Sequence, residues 1–273
     1  MEATTVNGIT LFFDADERPA AELVKDACLQ SARLIGENWG FRAPRDLHVH
    51  VMTSWLQFLL RASPWHWKIP LVLLAPLWVF KVKRMWRFAG GWAQAFGRRR
   101  AVGVKPPRIL AETDTAIGDR VFIREDDLDE RVRRITCHEL THAFSSHLRL
   151  PVWLHEGIAM VTVDRMAGRG TVQTSTIDSI VQADRKLNPR RYQDLPHVDC
   201  EAFLYPFIRG YWITRYLEET RPGLLAGLFA EKLPHGELES RIAAGMGKSR
   251  EEFWSDIDGL VAARFGEKKE ASR

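Results

Sequence analysis

The sequence predicts an α+β protein, and three observations carry that prediction. Strand and helix patterns alternate over the first fifty residues, further strand-like segments follow as far as residue 124, and helical periodicity alone runs from about 126 to the C-terminus. The expected arrangement is a small N-terminal mixed sheet packed on the first long helix of a C-terminal helical half. With 273 residues, 45% of them apolar and 27% charged, the chain is long and apolar enough for one large domain or two small ones, and disorder is excluded.

In chain order, Gly8 to Asp14 (G-I-T-L-F-F-D) reads as a strand and Pro19 to Glu37 as an amphipathic helix. Leu47 to Thr53 (L-H-V-H-V-M-T) alternates apolar and polar residues as a half-buried strand does. Between Ser54 and Arg100 the pattern breaks. Regular texture returns at Val102 to Leu110, interrupted by Pro106 and Pro107, and Arg120 to Arg124 reads as an edge strand. Helices are expected over about 126–147, 152–166, 202–219, 223–232, 238–244 and 250–265. The division falls at 125: residues 1–125 form an α/β part with an insert at 54–100, and residues 126–273 form a helical part, the two making one continuous unit.

The net charge of +4 conceals an uneven distribution. No Asp or Glu occurs from Leu47 to Ala111, while that stretch holds eleven of the 39 basic residues. The remainder, 28 basic against 35 acidic residues, is acidic. Three widely spaced cysteines, Cys28, Cys137 and Cys200, fit neither a disulfide framework nor a Cys-x-x-Cys knuckle and point to a reducing compartment. The opening M-E-A-T-T-V-N-G has neither a basic nor an apolar region of the secretory kind, so a cytoplasmic location is expected.

The strongest chemical signal is His138-Glu139-Leu140-Thr141-His142. Residues four apart share a helix face, so both imidazoles can point at one ion, with Glu139 offset toward a water on that ion. Zinc suits such a site because it takes nitrogen and oxygen ligands, keeps a position open and acidifies bound water; Glu139 would act as general base. Acids at Glu125, Asp126, Asp127, Asp129 and Glu130 favour a helix start, and Leu128, Val132, Ile135, Ala143 and Phe144 give the helix a buried side. A third histidine ten residues after His138, the metzincin pattern, is absent: Leu148 stands there. Glu156, in the first turn of the following helix, can face back toward the ion. Asp164, eight residues later on the same face, could hold the free nitrogen of a ligand histidine. Cys137 is expected to pack rather than ligate.

The run Pro151-Val152-Trp153-Leu154-His155-Glu156-Gly157-Ile158-Ala159 resembles the W-L-x-E-G-x-A signature of gluzincins, especially the short peptidase MA-like families. The resemblance covers about 120–163 well and 203–219 and 245–265 loosely, and it leaves the insert out. It implies a zincin-like fold, with His138, His142 and Glu156 binding Zn2+ and Glu139 serving a zinc metallopeptidase that cleaves peptide or protein substrates. It also favours Tyr205 as donor to the tetrahedral oxyanion; Tyr211, His155 and Arg209 are the other candidates. The thirteen-residue spacing to the third ligand is shorter than in thermolysin-like enzymes.

The insert carries Trp55, Trp65, Trp67, Trp78, Trp86 and Trp92 together with Lys81, Lys83, Arg84 and Arg87. Its apolar run from Ile69 to Phe80 would rise about 18 Å as a helix, short of the roughly 30 Å of a hydrocarbon core. Aromatic rings beside cations resemble an interfacial anchor, so peripheral membrane association through Trp65, Trp67, Trp78, Lys81, Lys83, Arg84, Trp86 and Arg87 is the leading reading. A cover over the cleft or a partner-protein surface is the second. Nucleic-acid binding ranks last, because the run is too apolar. The alternative to an enzyme is a non-catalytic scaffold that binds a membrane or a partner through residues 54–100.

Overall fold

The computed structural model describes residues 1–74, 83, 86–113, 118–183 and 200–266. The chain begins with a hairpin of β1 (Glu2–Val6) and β2 (Ile9–Phe13), whose connecting residues Asn7 and Gly8 both have positive φ. An Asn-Gly pair of that kind matches the twist of the strands it joins. Helix α1 (Arg18–Trp39), with a proline in its first turn, crosses to β3 (Leu47–Val51), which pairs parallel with β2. A second hairpin, β4 (Gly91–Phe96) and β5 (Arg99–Val104), completes a five-stranded mixed sheet of order β1-β2-β3-β5-β4, with β3 and β5 parallel.

Between β3 and β4 lie α2 (Trp55–Ala62) and α3 (Trp65–Leu73). After β5 come α4 (Pro107–Ala111), α5 (Leu128–Ser145), α6 (Val152–Ala167), α7 (Thr176–Val181), α8 (Cys200–Thr220), α9 (Leu224–Ala230), α10 (His235–Gly245) and α11 (Arg250–Phe265). The protein is therefore α+β with a mixed N-terminal sheet. Strands β4 and β5 pack on α5, the helix that carries His138 and His142.

Three expectations are corrected. Arg120 to Arg124 is not a strand of the sheet: a turn of 3-10 helix covers Gly118–Arg120, and Phe122 forms only an isolated bridge with Val172. The regular texture read at Val102–Leu110 is two elements: β5 ends at Val104, and Pro106 and Pro107, which lack N–H donors, open α4. The insert read at 54–100 is not wholly separate from the sheet, since its last part supplies β4 and the start of β5. Trp78, Lys81 and Arg84 lie outside the described residues.

One core joins the sheet to the helices, from Leu11, Val49 and Val102 through Leu140, Leu154 and Trp212 to Val261. Its tightest point is the crossing of α6 and α8. A Cβ added to Gly157 would collide with Thr214 Oγ1 and the Gly210 carbonyl, and one added to Gly210 would collide with the Trp153 carbonyl. The two backbones are as close as glycine permits. Because the clash is backbone on backbone, Gly210→Ala should destabilise the protein by about 2–3 kcal/mol and lower Tm by roughly 5–10 °C in thermal unfolding.

Lys105, at 1% exposure, follows β5 and ties down the return of the chain from the insert. Its Nζ donates to the Trp86 carbonyl and to Thr113 Oγ1, and it lies 4.2 Å from the Trp86 ring centroid. Burial pushes its pKa down to about 8 from 10.5. The unfolded chain therefore binds more protons between those values, so this residue makes stability rise with pH across that window. Denaturant titrations over that range should show a smaller rise in Lys105→Met than in wild type.

Candidate metal centre

The site is built from α5 and α6. Asp127 caps α5 by accepting from the Asp129 and Glu130 N–H groups, and the acids of the first turn suit the positive end of the helix dipole. Two turns on, α5 is buried on the side of Val132, Leu140, Ala143 and Phe144. Its buried hydroxyls are satisfied within the helix: Thr136, Thr141 and Ser145 each donate to the carbonyl four residues back. A short loop through Pro151 starts α6, which is buried along most of its length and held to α1 by the Trp39 Nε1 to Thr162 Oγ1 hydrogen bond at 2.8 Å. Folding α6 back across α5 brings Glu156 opposite the two histidines.

The three side chains converge on one point. His138 Nε2 and His142 Nε2 are 3.0 Å apart, and Glu156 places Oε2 3.3 Å from the former and Oε1 3.5 Å from the latter. Two ligand atoms that each lie 2.0–2.1 Å from a tetrahedral ion are separated by roughly 3.3 Å, so the donor set fits one divalent metal. The imidazole planes are perpendicular, which lets both nitrogens reach a common position. Glu156 is 3% exposed and His142 7%, whereas the His138 side chain is 24% exposed; the trio is closed beneath and open on the His138 side.

The charges reinforce one another. Burial works against the Glu156 carboxylate, but the two histidines outweigh it and hold its pKa well below the usual carboxylate range. Burial likewise opposes charge on His138, yet the Glu156 carboxylate beside it leaves its pKa raised. For Glu139, burial wins and raises the carboxyl pKa against the pull of His138 and His142 and of a hydrogen bond from the Ala93 backbone.

That last contact links the centre to the sheet. Lys105 N donates to Gly90 O, setting the phase of the β4–β5 ladder so that the backbone groups of Gly91, Ala93 and Ala95 point to the outer edge. Strand β4 can approach α5 closely because Gly91 has no side chain: a Cβ there would lie 2.6 Å from Glu139 Cγ and 2.7 Å from Ile135 Cγ2. The sequence carries a signal for this strand that was not read, namely Trp92-Ala93-Gln94-Ala95-Phe96 alternating between Gly90-Gly91 and Gly97.

The remaining candidates have partners or surroundings of their own. Asp164 does not serve a ligand histidine: Oδ1 accepts from Thr171 N at 2.7 Å and Thr171 Oγ1 at 2.6 Å, and Oδ2 accepts from Tyr211 Oη at 2.6 Å. Tyr211 is thereby committed to Asp164, and Arg209 forms a buried two-pronged pair with Asp258. Tyr205 is buried with no hydrogen-bond partner for its hydroxyl among the described residues, and it lies close enough to Arg209 and Asp258 for both charges to act on it. His155 packs against His142, ring centroids 4.2 Å apart, and hydrogen bonds to the His142 backbone; burial first, then His142, lowers its pKa to about 3 and keeps it neutral. Its ring is thus packed directly on that of His142. Among the described residues His142 Nδ1 has no partner. Cys137 is fully buried, its thiol pushed up to about 12, and it does not join the cluster.

No protein-family model matches the chain, and no curated protein matches it. Metal content tests the centre directly. Wild type should retain about one equivalent of a divalent metal through gel filtration, and Glu156→Ala and His138→Ala should each retain close to none by elemental analysis.

Proposed function

We propose that the protein is a zinc-dependent hydrolase, a metallopeptidase of gluzincin type on a zincin-like fold, with His138, His142 and Glu156 as the zinc ligands and Glu139 as general base. The observation that carries this reading is the convergence of two imidazoles and one buried carboxylate beside a second, partly exposed carboxylate that is not one of the three. Zinc held there would supply a Lewis acid and would acidify a coordinated water.

The chain's own residues supply the rest. Glu139 lies one position along the helix from His138, where it can accept a proton from a water at the open side of the cluster and return it to a leaving nitrogen. The Ala93 N–H fixes the orientation of that carboxylate. Strand β4 ends the sheet, so an extended polypeptide has a backbone edge to pair with directly beside Glu139. This edge favours a peptide over a small amide as substrate. Tyr205, with its buried and unpartnered hydroxyl, is the group put forward to donate to the oxyanion.

No helix among the described residues is long and apolar enough to cross a membrane. The free, buried thiols of Cys28 and Cys137 support a reducing, cytoplasmic setting.

The decisive comparison is zinc-loaded wild type against Glu139→Gln on a peptide library. The variant should keep its metal and lose roughly 10²- to 10⁴-fold in kcat/KM. Equal turnover by both would remove Glu139 from the reaction. Absence of turnover in fully loaded wild type would instead favour a non-catalytic metal-binding scaffold.

A further inference from the structure

Helix α3 is apolar where a helix of a folded domain is usually polar. Successive residues turn by about 100°, so Trp65, Ile69, Val72 and Leu73 form one stripe. That stripe faces solvent: the four residues are 76%, 59%, 57% and 72% exposed. The opposite side holds the helix to the protein. Leu71 packs on the small cluster of Met52, Phe58, Leu59, Ala62, Phe96 and Ala101, and the Trp67 ring meets Phe96 edge-on at 6.1 Å. No residue of α3 is buried. The outward stripe is thus held in place from behind and left uncovered in front.

The stretch of chain that carries the stripe has charge of one sign, with no Asp or Glu from Leu47 to Ala111. Lys68 flanks it on the helix, and Lys83, Arg87 and Arg98 are exposed with no acidic partner among the described residues. Basic residues of the same stretch that do pair reach acids lying before Leu47: Arg61 to Asp14, Arg99 to Asp46 and Arg108 to Glu17. An apolar stripe on a stretch of chain with exposed, unneutralised cations matches a surface with hydrocarbon beneath and negative charge above it. A nucleic acid would meet the cations but offer nothing to Ile69, Val72 and Leu73.

We infer that α3 docks in the plane of a lipid bilayer that carries anionic headgroups, with Trp65, Ile69, Val72 and Leu73 inserted and Lys68, Lys83, Arg87 and Arg98 at headgroup level. Trp65 stands at the start of the helix, where an indole can sit at the interface. At nine residues the helix is about 14 Å long, which suits lying in the interface and does not suit spanning. Docking does not depend on the hydrolase reading and is measured without activity.

The test uses the full chain with vesicles of phosphatidylcholine alone or with about one third phosphatidylglycerol. Wild type should co-sediment with the mixed vesicles, bind the neutral ones at least tenfold more weakly, and be released as ionic strength rises. Lipids brominated near the interface should quench its tryptophan fluorescence, and Trp65→Phe should reduce that quenching. Val72→Asp/Leu73→Asp changes only exposed positions and should lower partitioning at least tenfold with an unaltered Tm. Failure of wild type to bind the mixed vesicles, or absence of quenching on binding, overturns the inference whatever the variants do. So does wild-type partitioning by a folded double variant. A shift from dimer to monomer in that variant, by sedimentation velocity and with no change in lipid binding, would assign the stripe to a second copy of the chain.

Discussion

A carboxylate can be withdrawn from water only if its charge is answered, and His138 and His142 answer the buried Glu156. That requirement fixes the relation of α5 to α6, because both helices must present these side chains to one point. The α6 backbone is in turn fixed from its other side, where Gly157 and Gly210 let α8 close on it. The cluster is therefore the place where three helices have no freedom to adjust independently. Truncating Glu156 removes a charge that the packing assumes, as well as one of the three side chains that could hold a metal.

The sheet answers a different constraint. Three of its five strands, β2, β3 and β5, form a frame that buries Ile9, Leu11, Leu47, Val49, Val102 and Val104 against the helices. Strand β4 has a lean composition where it faces α5: Gly91 and Ala93 leave room for Ile135 and Glu139. Its other face is heavier, with Trp92 set against Trp55 and the cluster beneath α3. One short strand thus separates the metal centre from the exposed apolar stripe, and its small and large residues sort by side.

Much of this was legible in the residues. The helical half was readable because long amphipathic periods and capping acids are local signals, and α5, α6 and α11 begin and end within a few residues of the pattern. The clustering of His138, His142 and Glu156 was readable because i, i+4 spacing and a tight helix–loop–helix leave few geometries. The misses share a cause. Asn7-Gly8 announces the first hairpin by turn chemistry, and Gly90-Gly91 announces β4, but both were overshadowed by stronger neighbouring patterns. Asp164 has the right spacing for the cluster side of α6, yet Thr171, just past the end of that helix, and Tyr211, on α8, claim it first; helix spacing alone does not encode that competition.

The clustered side chains and the neighbouring carboxylate are governed by different parts of the fold. His138, His142 and Glu156 answer to the helix packing, whereas the orientation of Glu139 answers to Ala93 on the last strand of the sheet. A slip of that strand by a single residue would replace the N–H at Glu139 by different backbone groups and leave the ligand trio intact. Under the proposed function, ion retention and readiness for proton transfer would be separable properties of this architecture, and a chain that keeps its cation through purification could still be at rest.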